Sequence, residues 1–400
     1  MKDRIWQLAG EVTDFTVAAR RRFHENPELG FQEFETTAFI KKELEAAGVE
    51  IVPIAMETGA LAVIKGTAPW KGAGEPPVAG VRADMDALPI EEATGVPYAS
   101  KVKGIMHACG HDGHAAILLG LAKVLQKLRP HFAGTVKLFF QPAEETLYGA
   151  EKMIACGVLE NPRPDTIIAL HGGVELPIGT VGVYPGPFMA SADLFKVKFI
   201  GKGTHAAYPH KGTDALAAAA QAVISLQMLL AREVEVNERA VVSVCQIHGG
   251  HAFNVIPGEV EIGGTVRCLS PDVRKQISER LRAICTDIAS SYRCRAECEY
   301  TFGIPSLSND PGVTAAIARA AAEMLGEDKV IRIANPIMGG EDFAYFLEKV
   351  PAGAMFRLGI GGSVPMLTHN PGFNFADESV PLGIAVLAKY VTDVLNPEGK

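Results

Sequence analysis

The sequence predicts an α/β protein of two domains, in which a smaller α+β domain interrupts a larger α/β domain. Three observations support this prediction. A chain of 400 residues exceeds the size at which one hydrophobic core usually stops growing. Short apolar runs alternate with helical patterns near the amino terminus, as in a largely parallel sheet. The middle of the chain has the order β-α-β-β-α-β, which is typical of a ferredoxin-like unit.

Residues 1–185 are assigned to the first part of the larger domain. A mostly helical pattern covers residues 3–48 and is broken by the turn-forming stretch 24–28. Another helix is predicted at residues 115–128, and Asp112 is placed to cap its start. Four short apolar runs are predicted to be strands, at residues 60–64, 78–82, 136–140 and 166–170.

Residues 186–302 are assigned to the inserted domain, and residues 303–400 to the second part of the larger domain. The inserted domain has predicted strands at 193–200, 240–248, 258–267 and 296–301 and predicted helices at 214–231 and 271–290. The last part has predicted helices at 312–325 and 380–395 and a predicted strand at 354–358. We therefore expect both ends of the chain to build one domain.

Composition excludes several classes of protein. Hydrophobic residues make up 48% of the chain and charged residues 21%, as in ordinary globular proteins. The formal net charge of −8 argues against non-specific binding to nucleic acid or anionic membranes, which requires concentrated Lys and Arg. The cluster Arg20 to Arg22 is interpreted as a solvated helix face. No stretch approaches the roughly 20 consecutive apolar residues of a membrane-spanning helix, and the first residues lack the apolar core of a secretory signal.

The cysteines favour a reducing compartment. The chain has seven of them, an odd number, without the spacing of a disulfide framework. We expect most to be reduced and buried in a cytosolic protein. Cys109 is the exception, because three histidines lie within five residues of it, in Met106-His107-Ala108-Cys109-Gly110-His111-Asp112-Gly113-His114.

Side chains that can bind metal follow the predicted strands of the first domain and precede its predicted helix. They are Asp84 and Asp86, Glu144 and Glu145, His171, and Cys109 and His111. Ligands of open α/β sheets bind beyond the carboxyl ends of the strands. Thiolate, imidazole and carboxylate together are the ligands of a zinc-like or manganese-like divalent site.

Each of these residues also has an ordinary structural interpretation. A single cysteine such as Cys109 is more often a small buried hydrophobic side chain, and a single histidine at a strand end is more often packed and hydrogen-bonded. Adjacent glutamates are usually solvated, although Glu144 and Glu145 follow a run too apolar for the surface. The coincidence of several such residues at one edge favours a metal site. His107 and His114 are interpreted as residues that orient the ligands.

Several motifs resemble those of the co-catalytic metal aminoacylase and carboxypeptidase family of metallopeptidases. The likeness is greatest to its branch of hippurate hydrolases, N-acyl-amino-acid amidohydrolases and plant auxin-conjugate hydrolases, and it covers nearly the whole chain in order. It implies a metallopeptidase-type α/β/α catalytic domain, interrupted by a ferredoxin-like lid that often mediates dimerisation. The motifs are His24-Glu25-Asn26-Pro27-Glu28-Leu29-Gly30, Asp84-Met85-Asp86-Ala87-Leu88-Pro89, Cys109-Gly110-His111-Asp112-Gly113-His114, Gln141-Pro142-Ala143-Glu144-Glu145, Gly201-Lys202-Gly203-Thr204-His205-Ala206-Ala207, Asn254-Val255-Ile256-Pro257 and Met338-Gly339-Gly340-Glu341-Asp342-Phe343.

The resemblance implies a set of metal ligands. They are Cys109, His111, Glu145, His171 and His369. His369 lies within Leu367-Thr368-His369-Asn370-Pro371, too far along the chain for spacing alone to identify it. These residues are expected to hold two divalent ions per chain, of zinc, manganese or cobalt. Asp84 stands where the wider family has a histidine, as is usual in this branch.

The same resemblance implies catalytic and substrate-binding roles. Glu144 is expected to act as the general base, and Asp86 to orient a metal ligand. His205 is expected to donate to the oxyanion that develops on the substrate, from the same chain or across a dimer interface. Asn254 and Arg267 are candidate substrate-binding residues, because a guanidinium pairs well with a substrate carboxylate. For Arg267, a salt bridge at the end of its strand is an equally supported interpretation.

The predicted function is metal-dependent hydrolysis of N-acyl-amino acids, such as N-acetyl or N-benzoyl derivatives, to a carboxylate and a free amino acid. A dipeptidase or carboxypeptidase of the same family is the first alternative. A metal-binding protein without activity is the second, and Glu144 counts against it because a binder needs no base. A zinc nucleobase deaminase is disfavoured because no Cys-x-x-Cys pair lies near the site. We expect a cytoplasmic homodimer or higher homo-oligomer, with Glu341 and Asp342 lining or bracing the site.

Overall fold

The computed structural model describes residues 1–361 and 367–396 and divides them into two compact units. The larger unit comprises Met1–Gly186, Ser308–Asn335 and the described residues from Tyr345 onward. The smaller unit comprises Pro187–Leu307 and Pro336–Ala344. Both ends of the chain therefore build one unit, and the fold class predicted from the sequence is confirmed.

The segment Pro336–Ala344 is where the observed division departs most from the predicted boundaries. The sequence assigned it to the larger domain, but it lies with the smaller unit. The backbone N–H of Ala190 donates to the carbonyl oxygens of Ile337 and Gly339, and the N–H of Ile337 donates to Phe188. These long-range backbone contacts have no local pattern that a sequence could display.

The larger unit is organised around a mixed sheet of eight strands within the described part of the chain. Its first segment contains α1 (Lys2–Glu25), α2 (Phe34–Ala46), β1 (Glu50–Val52), β2 (Ala60–Lys65), β3 (Val78–Asp84), α3 (His111–Leu128), β4 (Thr135–Gln141), α4 (Gly149–Ala155), β5 (Thr166–Pro177) and β6 (Val181–Val183), and β7 (Gly186–Met189) starts at its last residue.

The six predicted elements of the smaller unit follow one another in the predicted order, and two short strands, Thr204–His205 and Val255–Ile256, were not predicted. The unit contains β8 (Asp193–Ile200), β9 (Thr204–His205), α5 (Ala215–Glu233), β10 (Ala240–Gly249), β11 (Val255–Ile256), β12 (Glu259–Cys268), α6 (Pro271–Ser291) and β13 (Arg295–Thr301). The chain then continues through β14 (Leu307–Asn309), α7 (Pro311–Leu325), β15 (Val330–Arg332), α8 (Ala344–Lys349), β16 (Gly353–Gly361) and α9 (Val380–Val394).

The order of strands in the larger sheet is β1-β2-β4-β3-β5-β16-β6-β15. The four central strands β4, β3, β5 and β16 run parallel to their neighbours in this set. Most of their residues are buried, as expected for strands covered on both faces. Helix α3 is buried over nearly its whole length, because it packs on β3, β4 and β5 and is itself covered by α1 and α9.

The smaller unit has an antiparallel sheet with the order β10-β12-β8-β13, against which α5 and α6 pack. Helix α5 is long and apolar enough to cross a membrane by length and composition, with a mean hydropathy of 1.5. Its buried residues, which include Ala218, Ala222 and Leu226, belong to the core formed with this sheet. Packing on the sheet therefore accounts for part of this apolar character, while Leu216, Ile224 and Met228 of the same helix are exposed.

Candidate metal centre

The segments that carry the predicted ligands converge around the central strands and the start of α3. Strand β3 ends at Asp84, as the sequence predicted to within two residues, but β5 continues past His171 to Pro177. His171 therefore lies inside a strand, opposite Arg357 of β16. The prediction that β5 ends before His171 was wrong, because pairing with β16 continues beyond the apolar run.

Helix α3 begins at His111, four residues earlier than predicted. Gly110 caps it with a positive φ of 98°, and the side chain of Asp112 makes no capping bond. A Cβ atom on Gly110 would lie 3.1 Å from the ring of Phe375, so both conformation and space favour glycine here. The predicted cap was wrong because Asp112 binds partners on α1 instead. The early start places His111 in the first helical turn, next to Cys109.

Donor atoms of the predicted ligands gather in two overlapping groups. The first group consists of Cys109, His111 and His171, and one donor atom of each residue lies within 4.8 Å of the other two. The second group consists of Cys109, Glu145 and His369, with the same spacing. Sγ of Cys109 is 3.5 Å from Nε2 of His171, and Nε2 of His369 is 3.2 Å from Oε1 of Glu145. Because Cys109 belongs to both groups, the arrangement suits two neighbouring ions that share a thiolate.

The chain segment that carries His369 is tied directly to the cysteine loop. The backbone N–H of His369 donates a 2.7 Å hydrogen bond to the carbonyl oxygen of Ala108, the residue before Cys109. His369 itself has a positive φ of 57°. This contact joins residues that are 261 positions apart in the chain (369 minus 108). It explains how a histidine without any local motif reaches the other donors.

Hydrogen bonds on the far side of each ring orient two of the histidines. Nδ1 of His111 lies 3.0 Å from the carbonyl oxygen and 3.1 Å from Oδ1 of Asp86. Nδ1 of His171 lies 2.9 Å from the carbonyl oxygen of Gly172. With Nδ1 donating, Nε2 of each ring keeps its lone pair for a ligand. Nε2 of His111 is buried and has no hydrogen bond among the described residues, as expected of an atom that binds metal.

His114 uses both ring nitrogens for other contacts. Its Nδ1 lies 2.7 Å from Oδ1 of Asp84, and its Nε2 accepts a 2.8 Å hydrogen bond from the N–H of Gly172. No lone pair remains for a metal ion, so His114 holds the strand beside His171 in place. His107 is buried, and its ring has no hydrogen bond in the described part of the chain. The interpretation of His107 as an orienting residue finds no contact to support it.

Asp84 lies in a buried network of charges behind the donor groups. Nη1 of Arg82 donates to its Oδ2 at 2.6 Å, and Nε2 of His111 lies 3.8 Å from its Oδ1. Burial opposes the charge, but His111, Arg82 and His114 hold the pKa of the Asp84 carboxyl well below its usual range. Asp84 is therefore ionised, and its negative charge stabilises positive charge nearby in the site.

The two glutamates lie on one tight turn. Residues Glu144–Thr146 form a single 3₁₀ turn between Ala143 and Leu147, which have positive φ values of 57° and 63°. Oε2 of Glu144 and Oε1 of Glu145 lie 3.9 and 4.0 Å from Nε2 of His111. The N–H of Glu145 donates a 2.9 Å hydrogen bond to Oδ2 of Asp86. The turn therefore directs both carboxylates towards the donor groups.

Protons and cations compete for the ring nitrogens of the site. Cys109 and Glu145 raise the pKa of His369 to about 10. Burial opposes the charge on His111, but Asp84 and Cys109 raise its pKa well above the ordinary value. Burial lowers the pKa of His171 far below the ordinary value, and Arg357 adds to this effect. The surroundings of His111 and His369 thus favour bound positive charge, and a metal ion must displace protons to bind there.

The remaining predicted site residues lie in the smaller unit. His205 of β9 pairs with Val255 of β11, and the N–H of Ala206 donates to the carbonyl oxygen of Asn254. The side chains of His205 and Asn254 are exposed. Arg267 is half-buried in β12, and the structure gives it no ion-pair partner among residues 1–361 and 367–396. No acidic partner in this part of the chain therefore supports the interpretation of Arg267 as one half of a salt bridge.

Glu341 and Asp342 also lie in the smaller unit, within the segment Pro336–Ala344. Both side chains are buried, and Oε1 of Glu341 accepts a 3.0 Å hydrogen bond from the N–H of Phe343.

A buried ion-pair network beneath the cysteine loop was missed by sequence reasoning. Oδ2 of Asp112 lies 2.9 Å from both Nε of Arg20 and Nδ1 of His24. Arg20 also donates to Asn374 and to Asp377, beyond His369. The interpretation of Arg20 as part of a solvated face was wrong, because its side chain is completely buried. Arg20 stands next to two other arginines, so its composition alone suggested a solvated face. The spacing of the buried residues along α1 was the one indication that its side chain lies inside the protein.

Asp112→Asn is expected to lower the free energy of unfolding by about 3–5 kcal/mol, because the buried charge of Arg20 would lose its fully buried carboxylate partner and keep only the partly exposed Asp377 among the described residues. Urea unfolding of the metal-free protein measures this effect, with Asp14→Asn on the exposed face of α1 as the matched control. An unfolding free energy equal to that of the control would show that the network contributes nothing.

The same network predicts a dependence on pH. Burial opposes ionisation of Asp112, but Arg20 and His24 hold the pKa of its carboxyl far below the ordinary value. The group therefore binds fewer protons in the folded chain than in the unfolded chain. Its stabilising contribution is complete above about pH 4 and falls as the pH drops further. In the Asp112→Asn variant, the free energy of unfolding should no longer show this part of its decrease at low pH, and urea unfolding at several pH values measures the difference.

Comparisons with known proteins agree with this geometry. The pattern of peptidase family M20/M25/M40 matches residues 80–393. The chain is 43% identical over 364 residues to N-acetyl-L-cysteine deacetylase of Bacillus subtilis (strain 168), covering 91% of this chain and 84% of that protein. It is 39% identical over 392 residues to IAA-amino acid hydrolase ILR1-like 2 of Arabidopsis thaliana, covering 96% of this chain and 86% of that protein.

A solved structure has the same fold over nearly the whole chain. The crystal structure of the Bacillus subtilis YXEP protein, a dinuclear metal binding peptidase from the M20 family, superposes with a TM-score of 0.85 at 37% sequence identity. The match covers 96% of this chain and 99% of that one. A dinuclear metal binding peptidase thus shares the fold that brings the two donor groups together here.

Proposed function

The chain belongs to peptidase family M20/M25/M40, and from that premise we propose that it is a metal-dependent amidohydrolase that cleaves the amide bond of N-acyl-amino acids. The products are a carboxylate and a free amino acid. The observation that carries this proposal is the pair of donor groups that share Cys109, with the carboxylate of Glu144 beside them. The relatives named as an N-acetyl-L-cysteine deacetylase and an IAA-amino acid hydrolase support this substrate class.

The proposed ligands of the two divalent ions are the residues of the donor groups, namely Cys109, His111, Glu145, His171 and His369. When bound, such ions lower the pKa of a coordinated water and polarise an amide carbonyl. Thiolate and imidazole ligands suit zinc, and manganese and cobalt also form sites of this kind. The chain's own contribution is to hold these donors close together and to orient His111 through Asp86.

Glu144 is the proposed general base. Its carboxylate is buried and lies 3.9 Å from Nε2 of His111, a proposed ligand. It would accept the proton of that water and later deliver it to the nitrogen of the leaving amine. Glu145, next in the chain, has the separate role of ligand, because its Oε1 lies beside His369.

Three residues of the smaller unit are proposed to act on the substrate. His205 would donate a hydrogen bond to the oxyanion that forms from the amide carbonyl. Asn254 and Arg267 would bind the polar end of the amino-acid product, with the guanidinium paired to its carboxylate. The exposure of His205 and Asn254 and the lack of an acidic partner for Arg267 among the described residues support these roles. Glu341 and Asp342 are proposed to brace the site.

We place the enzyme in the cytoplasm and expect it to form a homodimer or higher homo-oligomer through the smaller unit. All seven cysteines are free, although only three are buried, which agrees with a reducing compartment. Strand β10 is at the edge of its sheet, and its second half is exposed, so its unpaired backbone groups are available to another chain. Neither nucleic acid nor membrane is proposed as a partner.

Hydrolysis of a substrate panel tests this function. The protein is stripped with a chelator, reloaded separately with zinc, manganese or cobalt, and assayed on N-acetyl-amino acids, N-benzoyl-amino acids and dipeptides with free amines. We expect no hydrolysis after chelation, recovery with at least one of the ions, and a clear preference for the acylated substrates.

Other outcomes would contradict the proposal in distinct ways. Faster hydrolysis of the dipeptides would indicate a dipeptidase of the same family. Stoichiometric metal without hydrolysis of any substrate would indicate a protein that only binds metal. Full activity in the chelated protein would exclude the metal centre from the reaction.

A further inference from the structure

A buried carboxylate outside the ligand set holds the turn that carries both glutamates of the site. We propose that Glu33 is a positioning residue for Glu144 and Glu145, an inference that rests on the proposed function. Glu33 immediately precedes α2 and is completely buried. Its Oε1 accepts a 2.8 Å hydrogen bond from the backbone N–H of Ala143, which lies 110 residues further along the chain.

Ala143 is a point at which the backbone needs support from outside the turn. Its φ of 57° lies in the left-handed region, which costs a residue other than glycine about 1–2 kcal/mol. The segment before Glu33 packs tightly on the same place. A Cβ atom added to Gly30 would lie 2.9 Å from Cγ2 of Thr146 and 3.1 Å from Cα of Ala143. Residues 30–33 therefore determine where the turn lies, by contact and by hydrogen bond.

Two carboxylates hold the turn on either side of Glu144. Glu33 accepts from the N–H of Ala143, and Oδ2 of Asp86 accepts from the N–H of Glu145 at 2.9 Å. The other oxygen of Asp86 lies 3.1 Å from Nδ1 of His111. Asp86 thus links the turn to a ligand, and Glu33 anchors the opposite end. Without the carboxylate of Glu33, the backbone N–H of Ala143, which directly precedes Glu144, would have no buried acceptor.

The surroundings of Glu33 destabilise a carboxylate, so a residue that served only to fill space would not be expected to carry one there. Its Oε2 is buried, and Asp86 is close enough to repel the carboxylate, although hydrogen bonds from Ala143, the Thr58 side chain and its own backbone N–H offset part of this cost. Burial and Asp86 together raise the pKa of Glu33 to about 7. An apolar side chain of similar volume would avoid both penalties. An apolar side chain could not accept the hydrogen bonds from Ala143 and Thr58, and the bond from Ala143 is the one that reaches the turn.

The inference is tested with Glu33→Gln and Glu33→Ala, and with Glu35→Ala as the control, because Glu35 is exposed at the start of the same helix. Each metal-free variant is titrated with Zn²⁺ to obtain the affinity of both ions. The zinc-loaded proteins are then assayed for kcat and KM on an N-acetyl-amino acid. Unfolding in urea is measured in parallel.

Glu33→Ala is expected to weaken the ion bound by Glu145 about 10- to 100-fold and to lower kcat by a similar factor. Its KM should stay within about twofold, because the contacts with substrate are unchanged. Glu33→Gln should stay close to the wild type in both respects, because its amide oxygen can accept the same hydrogen bond. If Glu33→Ala does not fold, Glu33→Asp withdraws the carboxylate by one methylene while keeping its charge, and the same losses are expected.

Wild-type zinc affinity and kcat in Glu33→Ala would overturn the inference. Equal losses in the Gln and Ala variants would also overturn it, because the hydrogen-bond acceptor would then not be the feature that matters. If the wild-type protein hydrolyses no acylated substrate while the zinc affinities follow the expected order, the proposed function fails and the role of Glu33 in holding the turn stands.

Discussion

Glu144→Gln is expected to lower kcat by about 10²- to 10⁴-fold while both metal ions stay bound. The amide has the shape of the carboxylate but cannot accept a proton from the attacking water. Glu144 belongs to neither of the two groups that share Cys109, so its replacement should leave those donors in place. The measurement is turnover of an N-acetyl-amino acid together with the metal content of the same sample.

The two readouts separate the possible roles of Glu144. Glu151→Gln is the matched control, because Glu151 is exposed on the neighbouring helix α4. Unchanged turnover in Glu144→Gln would remove this residue from the mechanism. Loss of metal together with activity would make Glu144 a structural part of the centre and leave the base unidentified.

Cys109→Ala is expected to have the largest effect on metal binding, because Cys109 is the one residue that belongs to both donor groups. Each group would retain only two protein donors, fewer than the three that catalytic zinc sites usually have. We expect the metal content to fall from about two ions per chain to one or none, with loss of hydrolysis. Metal analysis after dialysis at a fixed free zinc concentration measures this change.

Cys156→Ala provides the control for Cys109→Ala. Cys156 is a free, partly exposed cysteine of the same unit and lies next to α4, outside both donor groups. Its replacement should leave metal content and turnover unchanged. Two ions bound with wild-type affinity in Cys109→Ala would contradict a shared thiolate and would require the two donor groups to act without it.

Much of the fold could be predicted from local patterns. The apolar runs that became β2, β3 and β4 were correct to within about two residues, since the residues that form a buried strand are consecutive. The ends of elements were less predictable. β5 extends past His171 because β16 pairs with it, and α3 starts early at the Gly110 cap, with Asp112 bound by α1 and not acting as the cap. These ends depend on partners that lie elsewhere in the chain.

The candidate site shows the same limit. Cys109, His111 and the two glutamates stand in short motifs whose residue types indicate metal chemistry. His369 could be named only by resemblance to a family, because the contact that brings it to Cys109 is a hydrogen bond to Ala108 far away in sequence. Glu33 was not found at all, since one glutamate at the start of a helix usually lies at the surface.

By itself the sequence determined the order of most of the longer strands and helices, the split of the larger domain and the kinds of side chain available for chemistry. These depend on the period of apolar residues and on the composition of short motifs, which are local properties. Only the tertiary structure decided which carboxylate lies beside His369, which one faces His111 and which one holds the turn. Those arrangements depend on distances of a few ångströms between residues on different segments of the chain, and only the packing of the whole chain determines such distances.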